Sequence, residues 1–207
     1  MTVPSLPWVG HDKAGEPLML RMAELRDATS WVDHLRRITT ETPWMLQSEE
    51  DPVPTPTELR QILEEYESRE GSVAICAVRP GGRPDRPELA RHEPSRQDHG
   101  RQEILGTITL ANGRSSRNEH VAELSMGVGR QWWGLGIGTL LMEAALTEAE
   151  RGRIVKRVSL SVFSENTVAQ ALYERFGFLH EGVLKRYVRW DGRHEDLVVM
   201  ARWVGPQ

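Results

Sequence analysis

Residues 125–141, SMGVGRQWWGLGIGTLL, constrain this chain more than any other segment. They read as the end of a strand, then a turn with glycines at Gly134, Gly136 and Gly138, then the start of an amphipathic helix. No Ser, Asp or Asn stands at the cap position, and the first acid of the helix is Glu143. The opening amide N–H groups of such a helix have no internal partner. Bare glycine backbone lets a ligand approach closely, and the helix dipole favours negative charge there. The segment is therefore expected to hold a phosphate-bearing ligand, a pyrophosphate above all.

Flanking segments extend the pattern. Leu18 to Arg21 reads as a strand, and Leu25, Ala28, Val32, Leu35 and Ile38 form a helical stripe. Thr55, Pro56 and Glu58 make a strong helix start of the capping-box type. Ser72–Val78, Ile104–Leu110, His120–Val128 and Val158–Phe163 read as strands, and the helix after the glycines runs from about Gly138 to Arg151. A short helix follows Ser164–Thr167, with Ala169, Leu172, Tyr173 and Phe176 on one face and Gly177 closing it. Asp191-Gly192 is a hairpin turn between strands near 183–190 and 195–203. The order β-α-α-β-β-β-α-β-α-β-β predicts a mixed α/β (α+β) fold with a partly antiparallel sheet. A single domain over 1–207 is expected, with an N-terminal extension at 1–16 and a surface insertion at 79–103 rich in Pro, Gly and Arg.

Composition narrows the function. Net charge is −4, with 26 basic and 30 acidic residues, which speaks against a general nucleic-acid binder. No apolar run is long enough to span a bilayer, and the N-terminus lacks a basic region followed by an apolar core, so a cytoplasmic protein with no membrane partner is expected. The one cysteine, Cys76, excludes an internal disulfide and lies in an apolar strand, where it reads as core. The seven histidines are scattered with no zincin spacing, and no metal is expected.

Three phosphate-binding patterns compete for the glycines. A P-loop needs Lys and Ser or Thr after its last glycine, and Gly138 is followed by Thr139 and Leu140. A dinucleotide fingerprint needs G-x-G-x-x-G and an acid at the end of the next strand. Here the spacing is G-x-G-x-G and that strand ends in residues 161–164, SVFS. The third pattern fits better. Residues 133–138, WGLGIG, resemble the Q/R-x-x-G-x-G/A signature of the GCN5-related N-acetyltransferases (GNAT superfamily), with Trp133 at the position usually held by Gln or Arg. Residues 166–178, NTVAQALYERFGF, resemble that superfamily's second signature, and 181–202 resemble the closing hairpin of its ribosomal-protein and amino-acid acetyltransferase branches.

The resemblance implies a mostly antiparallel sheet flanked by about four helices, with a splay between two central parallel strands. It implies acetyl-CoA as acyl donor and a primary amine as acceptor: a small molecule, an amino acid or a protein N-terminus. Transfer would proceed by direct attack in a ternary complex, and homodimers are common in the family. Cofactor binding would fall to Met126, Gly127 and Val128 beside the pantetheine arm, and to Trp133, Gly134, Leu135, Gly136, Ile137, Gly138 and Thr139 around the pyrophosphate. Val128 N–H is the candidate oxyanion donor. Asn166 is expected either at the cofactor or as a helix cap, with Thr167 and Gln170 forming a capping box of their own. Tyr173 would protonate the departing thiolate, since a phenol is protonated at neutral pH. Glu123, the only acid in its strand, is the candidate base. Alternation places it opposite Met126 and Val128 unless a bulge intervenes. A non-catalytic acyl-CoA sensor is the alternative reading.

Overall fold

The computed structural model describes residues 5–80, 102–190 and 192–205. Strands β1 (Trp8–His11) and β2 (Pro17–Met22) form an antiparallel hairpin. A 3-10 turn at Leu25–Asp27 leads into helices α1 (Ala28–Glu41) and α2 (Pro56–Ser68). Strands β3 (Val73–Val78), β4 (Ile104–Asn112) and β5 (Val121–Val128) follow. A second 3-10 turn at Arg130–Trp132 precedes α3 (Ile137–Gly152). The chain then forms β6 (Arg157–Phe163), α4 (Thr167–Arg175) and the hairpin β7 (Leu179–Trp190) and β8 (Arg193–Trp203).

The helix starts obey local chemistry. Thr55 Oγ1 accepts from Glu58 N at 3.3 Å while the Glu58 carboxylate accepts from Thr55 N at 2.7 Å, so the expected capping box forms at α2. Such a cap stabilises by about 1 kcal/mol. Ahead of α1, the buried Asp27 carboxylate receives both terminal nitrogens of Arg21, at 2.6 and 2.8 Å. This bidentate pair ties β2 to the first helix. Breaking such a buried pair from one side costs several kcal/mol.

All eight strands of the described residues belong to one sheet, ordered β1-β2-β3-β4-β5-β6-β8-β7. Every neighbouring pair is antiparallel except β5 with β6. Helices cover both faces. Leu141, Met142 and Ala145 of α3 pack on one face with Ile75 and Ile108, and Trp31, Val32, Leu59 and Leu63 of α1 and α2 pack on the other with Cys76 and Ile104. This explains why β3 is buried at all six positions, and why Cys76 is core as expected.

Two expectations need correction. Within the expected N-terminal extension, Trp8–His11 form an edge strand that pairs with Pro17–Leu20. The closing hairpin begins at Leu179, earlier than the apolar pattern suggested, because β7 is largely exposed and has no alternation to read. The expected insertion at 79–103 lies almost wholly outside the described residues, as does Asp191 of the expected turn.

Candidate active site

The site begins where β5 and β6 part. Their parallel pairing covers only Val121–Glu123 against Arg157–Ser159. Beyond it, among the described residues, β4 is the only strand paired with β5. Gly129 N donates to Leu105 O at 3.0 Å, and the β4–β5 register is unbroken from Gly106–Val128 to Asn112–Ala122. In an antiparallel ladder, alternate residues turn their amides to opposite neighbours. Gly127 and Gly129 therefore face β4, and Met126 and Val128 direct their backbone groups into the gap. The Val128 carbonyl already accepts the Trp133 indole N–H at 2.7 Å, and its amide faces the opening.

The glycine turn closes one end of that gap. Gly134 has φ +77° and Gly136 φ +85°, left-handed conformations that strain any other residue. Gly136 is the N-cap of α3, and no side chain caps the helix. The first internal bond of the helix runs from Leu140 N to Gly136 O at 3.1 Å, so the amides of Ile137, Gly138 and Thr139 remain for a ligand. This arrangement fits a doubly charged phosphate linker. Arg175, at the end of α4, donates to Thr139 Oγ1 at 2.8 Å and adds positive charge beside the same turn.

A cleft of about 910 Å³ connects these parts. Of the residues singled out from the sequence, Glu123, Met126, Gly127, Val128, Trp133, Gly134, Gly136, Ile137, Gly138, Thr139, Asn166 and Tyr173 all line it. Leu135 does not: its side chain packs against the α3 core, and only its carbonyl faces the turn, accepting from Lys13 N at 3.0 Å.

Asn166 caps α4, its Oδ1 accepting from Ala169 N at 3.2 Å, and it borders the cleft as well. The expected Thr167–Gln170 box is absent. Gln170 Nε2 instead donates to the carbonyls of Phe163 and Ser164, pinning the helix to the end of β6. Tyr173 is 8% exposed and sits 5.9 Å from Phe178, ring centre to ring centre. Burial pushes its phenol up to about 12. Glu123 is exposed, and no bulge interrupts β5, so its side chain shares a face with Ser125 and Gly127, across the sheet from Met126 and Val128. On that face the cleft is walled by Trp44 and Met45, and Trp44 meets Phe163 edge-on at 5.9 Å.

Sequence reasoning missed Lys13, Ser125 and Arg175 as cleft residues. Arg175 stands two residues after Tyr173, a usable signal. Lys13 belongs to a turn whose long-range docking no local pattern announces. It also missed His34, which is 1% exposed and binds the back of β5. Arg37 Nη2 donates to its Nδ1 at 3.2 Å, so Nε2–H is left to donate to Gly127 O at 3.3 Å. Burial, and then the Arg37 charge, push His34 down to about 4. Arg37 also stacks over Trp132, 4.5 Å from its ring centre. Of the tryptophans, Trp44 and Trp132 line the cleft beside Trp133, whereas Trp8, Trp190 and Trp203 do not. Among the described residues no three His, Cys, Asp or Glu side chains gather as a metal site. No described helix is long and apolar enough to cross a membrane.

The profile of the acetyltransferase (GNAT) family matches residues 45–178, more than half of the chain and most of the site just described. The chain belongs to that family. An L-amino acid N-acetyltransferase from Escherichia coli (strain K12) is 30% identical over 100 residues, which cover 48% of this chain and 62% of that protein. The match thus spans less than two thirds of that relative. Among solved structures, an acetyltransferase of the GNAT family from Streptococcus pneumoniae superposes with a TM-score of 0.77 at 25% identity, covering 91% of this chain and 99% of that one. A Salmonella typhimurium protein solved with its cofactor acetyl-CoA shares the fold, with a TM-score of 0.70 at 17% identity over 92% of this chain and 95% of its own. Among the described residues, the mixed sheet, its one parallel pair and the four helices are those of the GNAT fold, as the two signatures implied.

Proposed function

We propose that this chain transfers the acetyl group of acetyl-CoA to a primary amine by direct attack within a ternary complex. The observation that carries the reading is the shared cleft. It joins an uncapped, glycine-led helix start, an unpaired strand edge and a buried tyrosine. The neighbour with bound acetyl-CoA and the amino-acid N-acetyltransferase relative support the donor and the reaction class.

Each residue then has a task. The amides at Ile137–Thr139 hold the pyrophosphate, and the free edge at Met126 and Val128 holds the pantetheine arm. The amine nitrogen attacks the thioester carbonyl carbon. Val128 N–H donates to the oxygen as it gains charge, a contact worth roughly 3 kcal/mol in enzymes of this kind. The C–S bond breaks as the new C–N bond is completed. The proton lost by nitrogen passes to Glu123, directly or through water, and the thiolate takes a proton from Tyr173. Nothing in the cleft offers a covalent relay through cysteine. Cys76 is fully buried in β3, and burial pushes its thiol up to about 12.

A thiol-release assay with acetyl-CoA and a panel of amines tests the reading: free amino acids, their amides, simple alkylamines and short peptides. Amine-dependent thiol release with intersecting initial-rate patterns is expected. Coenzyme A binding in calorimetry without release for any amine would make the chain a sensor, and absence of binding would remove the cofactor altogether.

A further inference from the structure

The signature position that resembles Gln or Arg in the family is Trp133 here, and its indole is committed to the Val128 carbonyl at 2.7 Å. That position therefore brings no cation to the glycine turn. A cation arrives from elsewhere. We propose that Lys13, carried by the turn between β1 and β2, grips the pyrophosphate of the bound acyl carrier together with the α3 amides. This inference rests on the proposed acetyl-CoA site.

Two contacts and its place on the cleft position the residue. Lys13 N donates to Leu135 O at 3.0 Å, joining the hairpin turn to the glycine turn by backbone. Its aliphatic stem lies along Gly136, where a Cβ would meet Lys13 Cε at 3.3 Å and Cγ at 3.4 Å. Lys13 lines the same cleft as Gly134, Gly138 and Thr139. The stem thus lies against the N-cap of α3, and the side chain borders the cleft that the α3 amides also border. Among the described residues that ammonium has no carboxylate partner.

The turn that presents Lys13 is built to be rigid. Asp12 Oδ1 accepts from Ala14 N at 2.9 Å and from Glu16 N at 3.1 Å, and Asp12 N donates to Glu16 O at 2.9 Å. The other Asp12 oxygen receives Arg79 Nη2 at 2.9 Å, and Arg79 also donates to Pro17 O at 2.7 Å. A local side-chain-to-backbone network of this kind fixes a tight turn. Fixing Lys13 before the ligand arrives lowers the ordering cost of its contact. With Arg175 bonded to Thr139 Oγ1 on the same cleft, the phosphates would meet two cations and the helix dipole.

Calorimetry with truncated ligands tests the assignment without recourse to turnover. Coenzyme A, dephospho-coenzyme A (which keeps the pyrophosphate but lacks the 3′-phosphate) and pantetheine are titrated into wild type, Lys13→Ala and Lys13→Arg, with thermal melts confirming equal folding. Lys13→Ala should lose roughly tenfold in affinity for both phosphate-bearing ligands, as expected for one charge-assisted contact. Its affinity for pantetheine should be unchanged, and Lys13→Arg should retain most of the binding. Unchanged affinity of Lys13→Ala for coenzyme A overturns the proposal. So does a loss confined to coenzyme A, which would mark a 3′-phosphate contact, or an equal loss for pantetheine, which would mark a structural role. Failure of the wild type to bind coenzyme A sinks the underlying cofactor reading instead.

Discussion

In the proposed mechanism the hydroxyl of Tyr173 is the proton source for the departing thiolate. Because burial raises its pKa to about 12, the group stays protonated across the working range of an amine acetyltransferase. Tyr173→Phe should lower kcat about 100-fold, within the usual span for a general acid, and leave coenzyme A affinity in calorimetry nearly untouched. The kcat–pH profile of the wild type should show no loss of rate from this residue between pH 6 and about 10. Retained turnover in Tyr173→Phe would remove it from the mechanism. His34 carries a second prediction. Its folded pKa lies near 4, against about 6.5 unfolded. Below pH 6.5 the unfolded chain takes up a proton that the folded chain refuses, so stability falls as pH drops from 6.5 towards 4 and is constant above. The loss attributable to His34 at pH 5 is about 2 kcal/mol. Urea midpoints at pH 7 and pH 5 should converge in His34→Gln relative to wild type. The sequence singled out Tyr173 through its signature and Glu123 as the only acid of its strand, and both border the cleft. Nothing local revealed His34, because its meaning lies in a carbonyl more than ninety positions away in the chain, at Gly127.

At the level of elements, legibility followed the range of the forces involved. The α2 start was readable because Thr55, Pro56 and Glu58 settle it among themselves. The glycine turn was readable because positive φ at Gly134 and Gly136 is a local demand. Strand β1 was not, since four residues become a strand only by pairing with Pro17–Leu20. The capping of α4 was half readable: Asn166 was one of two expected uses, and Gln170 was claimed by carbonyls at the end of β6. Gly136 gives the test at this scale. Gly136→Ala adds a Cβ where φ is +85° and where the Lys13 stem lies 3.3 Å away. The left-handed conformation alone costs an alanine roughly 1–2 kcal/mol. Thermal denaturation should show that loss, and calorimetry should show weaker coenzyme A binding. A variant as stable and as tight-binding as wild type would mean that the turn has another conformation in solution.

For the whole molecule, the sheet explains why one cleft gathers so many parts. Order along the chain was evident from the sequence, but order across the sheet was not. The insertion of β8 between β6 and β7 depends on a hairpin folding back, and no residue in it encodes that choice alone. The consequence of the parting between β5 and β6 reaches beyond the site. A sheet that lacks rungs at its centre is an incomplete ladder, and a slender amide-bearing ligand can serve as the surrogate strand. Hydrogen–deuterium exchange should therefore find the amides of Met126 and Val128 fast in the free protein and slowed by acetyl-CoA, while those of Gly127 and Gly129, already bonded to β4, change little. Equal protection of both sets before ligand is added would show that the ladder is already complete. If the contrast appears, the acyl carrier acts as a transient ninth member of the sheet, and each turnover ends with the fold giving up part of its own middle.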